Sequence, residues 1–183
     1  MKKKLSKISF VVMCILLLGC FLQNVNIFAD TNTKTVDVMF LHDIHSHLNA
    51  FATVEDGESQ IMGGFARIKT LINKQKAKNP DTLLLDAGDF AMGTLIQVMF
   101  EEEASELRML GELGIEVTTL GNHEFDYKAK GLANMMNNAV ASGDALPEMV
   151  ISNVDWDAMK AAGLTEEQQL LLDAFENYGV KEY

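Results

Sequence analysis

Thr82-Leu83-Leu84-Leu85-Asp86-Ala87-Gly88-Asp89 is the stretch that decides the fold. Three consecutive leucines between a threonine and an aspartate make an apolar run of strand length, of the kind found where a strand is covered on both faces. Asn79-Pro80-Asp81 interrupts the chain before it, and Ala87-Gly88-Asp89 turns away after it. Upstream, residues 36–41 (Val-Asp-Val-Met-Phe-Leu) read the same way and end at His42-Asp43. Downstream, residues 117–120 end at Gly121-Asn122-His123, and a fourth strand is predicted over 148–154 after Pro147.

Helical periodicity fills the intervals. After Gly63-Gly64, the residues Phe65, Ile68, Leu71 and Ile72 fall at helical spacing, with Arg67, Lys69, Lys74 and Lys76 predicted to face outward. A second helix is predicted over 97–114, with Glu101, Glu102 and Glu103 near its positive end and Gly114 as its stop. A third covers 127–142, with Met135-Met136 buried against the sheet. The polar stretch 158–177 is helix-prone and is divided by Gly163. Strands alternating with helices predict an α/β protein with a largely parallel sheet, and in such folds chemistry gathers at the carboxyl ends of the strands.

The chain has 183 residues and a formal net charge of −11. An isoelectric point near 4.7 excludes a nucleic-acid duplex as partner, because that needs a basic face. It does not exclude single phosphate groups, since a bound metal reverses the local charge. The positive charge is unevenly placed. Lys2, Lys3, Lys4 and Lys7 precede an apolar run over 8–22, which is the layout of a secretory signal and short for a membrane span. Cleavage after Ala29 gives a leader of 1–29 and an exported, extracytoplasmic bacterial protein of 30–183. The alternatives are an uncleaved anchor, or lipid attachment at Cys20, since Leu17-Leu18-Gly19-Cys20 resembles a lipobox. Cleavage after Ala29 removes both cysteines, so the remainder relies on its core or on metal rather than on disulfides. The methionines lie scattered in apolar segments and read as core, and Trp156, at a strand exit, reads as a packing residue.

Three predicted strand ends carry polar residues of metal-binding type. At the first, Asp43 and His45 stand two apart, which on extended backbone puts both side chains on one side. At the second, Asp89 follows a glycine turn, where a carboxylate can bridge two ions or cap a turn. At the third, Gly121-Asn122-His123-Glu124-Phe125-Asp126 offers an amide oxygen, an imidazole and a carboxylate able to orient that imidazole.

Leu41-His42-Asp43-Ile44-His45-Ser46-His47, Asp86-Ala87-Gly88-Asp89 and Gly121-Asn122-His123-Glu124-Phe125-Asp126, in this order, resemble the signatures of the calcineurin-like metallophosphoesterases. The resemblance is strongest to the bacterial 5′-nucleotidase and UDP-sugar hydrolase group and runs from about Val36 to about Val154. It implies the amino-terminal half of an αββα sandwich. It implies two divalent ions, of Mn, Zn, Co or Mg, with Asp43 and His45 on the first, Asp89 bridging both and Asn122 on the second. It also implies that His123 contacts the phosphate and assists the leaving group, with Asp126 orienting it. The reaction implied is attack on phosphorus by a metal-bound hydroxide, and the substrate a nucleotide or related phosphate ester. A 2′,3′-cyclic-nucleotide phosphodiesterase, a UDP-sugar hydrolase and a non-catalytic extracytoplasmic protein are the alternatives.

Two features depart from the family. His42 stands where the family often has Asn, which suggests a residue behind the ligands. After His123 there is no further histidine, whereas the family completes its site with a histidine and a Gly-His-x-His segment. Tyr178 to Tyr183 fall where the family enters its next strand. The expectation is an amino-terminal portion of the family domain that, alone, binds metal weakly and turns over little substrate. No Gly-x-x-x-x-Gly-Lys-Ser/Thr loop, Gly-x-Ser-x-Gly elbow, His-Glu-x-x-His pair or Gly-x-Gly-x-x-Gly fingerprint is present.

Overall fold

The strand centred on the leucine run is β4 (Leu83–Asp86), one of four parallel strands. In a computed structural model, which describes residues 34–181, it lies between β1 (Val38–Leu41) and β5 (Val117–Thr118), with β6 (Glu148–Met149) beyond β5. The predicted leader and the lipid-anchor alternative at Cys20 fall outside the described residues. Because all pairings are parallel, every strand ends on the same rim. Leu41 pairs with Asp86, and the two turns continue the contact without regular ladder geometry. There Asp43 N–H donates to Gly88 O at 3.1 Å, His45 N–H to Asp89 O at 3.1 Å and Ser46 N–H to Phe90 O at 2.8 Å. The third and fourth strands are shorter than predicted. Past Met149, Val150 forms a parallel bridge with Lys181.

Helix α1 (Phe65–Lys78) buries Phe65 and Ile72 and half-buries Ile68. Leu71, predicted to face inward, is 57% exposed. At about 100° per residue it lies well off the narrow stripe of the other three. Lys69 and Lys76, predicted to face outward, lie along the flank instead. The first donates to the Glu112 carbonyl at 2.6 Å, and the second pairs with Glu116 at 3.2 Å.

The single helix predicted over 97–114 is three pieces. These are a 3₁₀ turn (Leu95–Met99), α2 (Phe100–Glu103) and α3 (Ser105–Leu113), broken at Ala104 with φ 48°. Alanine carries the smallest side chain that meets the left-handed penalty of ~1–2 kcal/mol. The break lets Phe100 stack on Tyr127 at 4.9 Å while α3 buries Leu107, Leu110 and Leu113. Gly114, at φ 88°, ends α3 as predicted. Helix α4 (Lys128–Ser142) buries Leu132, Met135, Met136 and Ala139. Helices α5 (Trp156–Ala162) and α6 (Glu166–Tyr178) follow, separated at Gly163 as predicted. Trp156 is half-buried, edge-on to Phe175 at 5.6 Å.

The core lies on the face of the sheet that carries Met39, Leu41, Leu84 and Met149. The other face is open among the described residues, with Val38 50% and Phe40 58% exposed. Cover on both faces of the leucine run is therefore not what the described residues provide, because their helices meet one face only. A hairpin that the sequence reading omitted, β2 (Phe51–Glu55) with β3 (Glu58–Met62), turns at Asp56-Gly57. Both of those residues have positive φ, at 53° and 82°, as a two-residue turn matched to strand twist requires.

Candidate functional site

The three strand-end turns converge. Asp43, His45 and Ser46 all have positive φ, so the extended backbone expected between Asp43 and His45 is replaced by a left-handed turn. The two side chains meet nonetheless, with His45 Nε2 3.4 Å from Asp43 Oδ1. His45 Nδ1 lies 3.0 Å from the Met92 carbonyl and 3.3 Å from that of Ala91. Carbonyls only accept, so Nδ1 carries a proton, and Nε2 is the ring nitrogen turned to Asp43. A neutral ring would there set an acceptor nitrogen against an acceptor oxygen, a pair that a cation satisfies. Nδ1 tied to a carbonyl is also the usual arrangement behind a metal-binding imidazole.

Asp43 Oδ2 is held by His42 Nδ1 at 2.6 Å. This hydrogen bond keeps the Asp43 carboxyl below the ordinary carboxylate range, and the charges of His42 and His45 add to the effect. At the second turn, Asp86 rather than Asp89 takes the turn role. Asp86 Oδ2 accepts from Gly88 N–H at 3.0 Å and from Thr118 Oγ1 at 2.6 Å, while burial pushes its pKa up. Asp89, at φ 52°, is left to project into the site. Its Oδ1 accepts the His123 backbone N–H at 3.0 Å.

His123 Nδ1 pairs with Asp126 Oδ2 at 2.6 Å, so Asp126 orients the ring, and this hydrogen bond raises the imidazole pKa. The His123 ring meets the His45 ring edge-on at 5.1 Å. His45, Asp89 and His123 each offer a ligand atom, and these atoms lie within 4.8 Å of one another. Imidazole nitrogens with a carboxylate oxygen suit a divalent transition ion, so the residues present fit a metal. Asn122 is exposed at the head of the His123–Phe125 turn, and its side chain does not cap that turn.

Two buried carboxylates behind these turns had no assigned part in the sequence reading. Glu106, 1% exposed, accepts from Ser46 Oγ at 2.6 Å and Ser105 Oγ at 2.7 Å. Glu124, fully buried, accepts three backbone N–H groups. The signal for Glu124 was its place inside the Gly121–Asp126 segment. Glu106, on an amphipathic helix, gave none.

The family model of the calcineurin-like phosphoesterases matches residues 36–174. The chain is 35% identical over 100 residues to the 5′-nucleotidase of Homo sapiens, covering 52% of this chain and 17% of that protein. It is 31% identical over 124 residues to the NAD 5′-nucleotidase of Haemophilus influenzae, covering 63% of this chain and 20% of that protein. The crystal structure of a 5′-nucleotidase precursor from Thermus thermophilus aligns with a TM-score of 0.55 and 29% identity, over 67% of this chain and 23% of that one. The chain spans about a fifth of the length of these curated relatives.

Proposed function

The chain belongs to the calcineurin-like phosphoesterase family, and from this we propose that its strand-end site serves an exported, dinuclear-metal phosphoesterase acting on nucleotides or related phosphate esters. Asp43 and His45 would hold one ion, Asp89 would serve both, and Asn122 would serve the second. The observation that carries this reading is the cluster of His45, Asp89 and His123, whose ligand atoms lie within 4.8 Å of one another at the ends of parallel strands. Divalent ions in such a site neutralise phosphoryl charge and lower the pKa of a bound water.

The residues themselves do the rest. His123 belongs to the cluster, and with its Nδ1 hydrogen-bonded to Asp126 its Nε2 is the nitrogen left to face the site. A raised imidazole pKa keeps more of the ring protonated near neutral pH, as donation to a leaving oxygen requires. The left-handed turn at Asp43–Ser46 brings the first carboxylate and imidazole to the rim. Nucleotide specificity rests on the likeness to the relatives named above. Export rests on the basic and apolar start of the sequence.

Calorimetric titration with Mn²⁺, followed by phosphate release from a nucleoside 5′-monophosphate, tests the reading. Saturable uptake is expected, weakened at least about tenfold in Asp89→Ala. Uptake and phosphate release unchanged in that variant would overturn it. Absence of Mn²⁺ uptake in the wild type would favour a non-catalytic protein.

A further inference from the structure

Among the described residues Glu124 has no partner of opposite charge, yet its side chain is fully buried. Its three acceptor contacts are all backbone. Oε2 takes the N–H of Gly121 at 2.6 Å and of Asp89 at 3.1 Å, and Oε1 takes that of Ala91 at 2.9 Å. One carboxylate therefore spans two turns that come from strands pairing only through Leu85 and Val117. The ladder ends before the site, so it does not fix the separation of the turns there. Among the described hydrogen bonds, the other links are Thr118 Oγ1–H to Asp86 Oδ2 at the strand ends and, nearer the site, the His123 N–H to Asp89 Oδ1.

The turns also touch through glycines. A methyl group on Gly88 would stand 2.5 Å from the Gly121 nitrogen, and one on Gly121 would collide with the Asp89 carboxylate. Asp89 itself holds φ 52°, a conformation that L-residues avoid and that persists where its surroundings over-determine it. We propose that Glu124 is a positioning residue: its carboxylate ties Asp89 in this conformation to the Gly121–His123 turn, fixing the separation of Asp89 and Asn122 for metal. The inference rests on the metal-site reading above.

Glu124→Gln is nearly isosteric but must lose at least one bond. Either orientation of the amide points its NH₂ at a backbone N–H. Amide exchange in the metal-free protein and Mn²⁺ titration read the consequence. The Asp89, Ala91 and Gly121 amides belong to no helix or strand, so slow exchange in the wild type is expected only if Glu124 holds them. In Glu124→Gln their exchange is expected to rise at least about tenfold and Mn²⁺ affinity to fall about 10–100-fold. Leu132→Ala, a core truncation in α4, is expected to lower the unfolding midpoint and leave both readouts in place.

Fast exchange of these amides in the wild type would overturn the proposal without any variant. So would wild-type exchange and affinity in Glu124→Gln, or equal effects of Leu132→Ala. A wild type that takes up no Mn²⁺ would instead sink the metal-site reading, while the exchange rates still decide the part played by Glu124.

Discussion

The two walls of the site are built differently. One is the turn after β1, from Asp43 to His47. The other joins the turns after β4 and β5, around Asp89 and His123. The first wall is exposed at its tip, with the Asp43 side chain 56% accessible, and it leans on side chains, His42 on Asp43 and Glu106 beneath Ser46, with only the His45 ring held by backbone carbonyls. The second is steered from behind by backbone, through Glu124 and the opposed glycines 88 and 121. Side-chain steering at a rim leaves room for adjustment. Backbone clamping around a buried carboxylate leaves little, because every displaced N–H would lose its acceptor. The second wall is thus the reference against which the first can adapt.

Gly121→Ala strikes that reference and carries the largest expected effect. Its methyl group would occupy the space of the Asp89 carboxylate and approach the Asp89 backbone nitrogen to 2.6 Å. Backbone must shift, at ~3 kcal/mol of stability. Thermal unfolding with Mn²⁺ titration should show both a lowered midpoint and lost metal uptake. Retained uptake would mean that the second wall is as adaptable as the first.

The sequence made the scaffold of both walls legible and hid what braces them. The leucine run and its two neighbours placed Asp43, Asp89 and His123 at strand ends, because apolar runs of that length must lie in the sheet and their last residues must lie on its rim. The open face of the sheet was not legible, since a run that suits cover on both faces does not reveal which residues supply it. The hairpin could have been read from Asp56-Gly57 between Thr53-Val54 and Ile61. The break at Ala104 could not, because alanine is the best helix former and its left-handed turn answers to the packing of Phe100. Glu106 and Glu124 look like ordinary acids in the sequence. Their burial appears only when partners up to 60 residues away meet them.

Ser46→Ala tests the first wall at the comparable depth. Ser46 and Glu106 are both buried, and the serine hydroxyl is one of two donors to that carboxylate. Its loss leaves a buried carboxyl group half-satisfied, at about 2 kcal/mol of stability. Mn²⁺ affinity should fall less than in Gly121→Ala, because the backbone bonds from His45 and Ser46 to the Asp89–Phe90 segment remain. An equal loss of affinity in the two variants would erase the distinction between the walls.

His42→Asn touches only the exposed tip and carries the smallest effect. The His42 hydrogen bond is the largest cause of the lowered Asp43 pKa, so its removal should raise that pKa toward the ordinary value of 3.8. The sign of the linked stability follows from proton uptake. A carboxyl with a lowered pKa in the folded state favours folding above its ordinary pKa, and the benefit disappears as pH falls through the folded value. The variant should therefore be slightly less stable than the wild type at neutral pH, and the two unfolding midpoints should merge in acid below the ordinary carboxylate range. Asparagine can still donate to Asp43, so metal uptake should change least of all the variants. A large loss of uptake would make His42 a ligand in its own right, and the first wall would then be as exacting as the second.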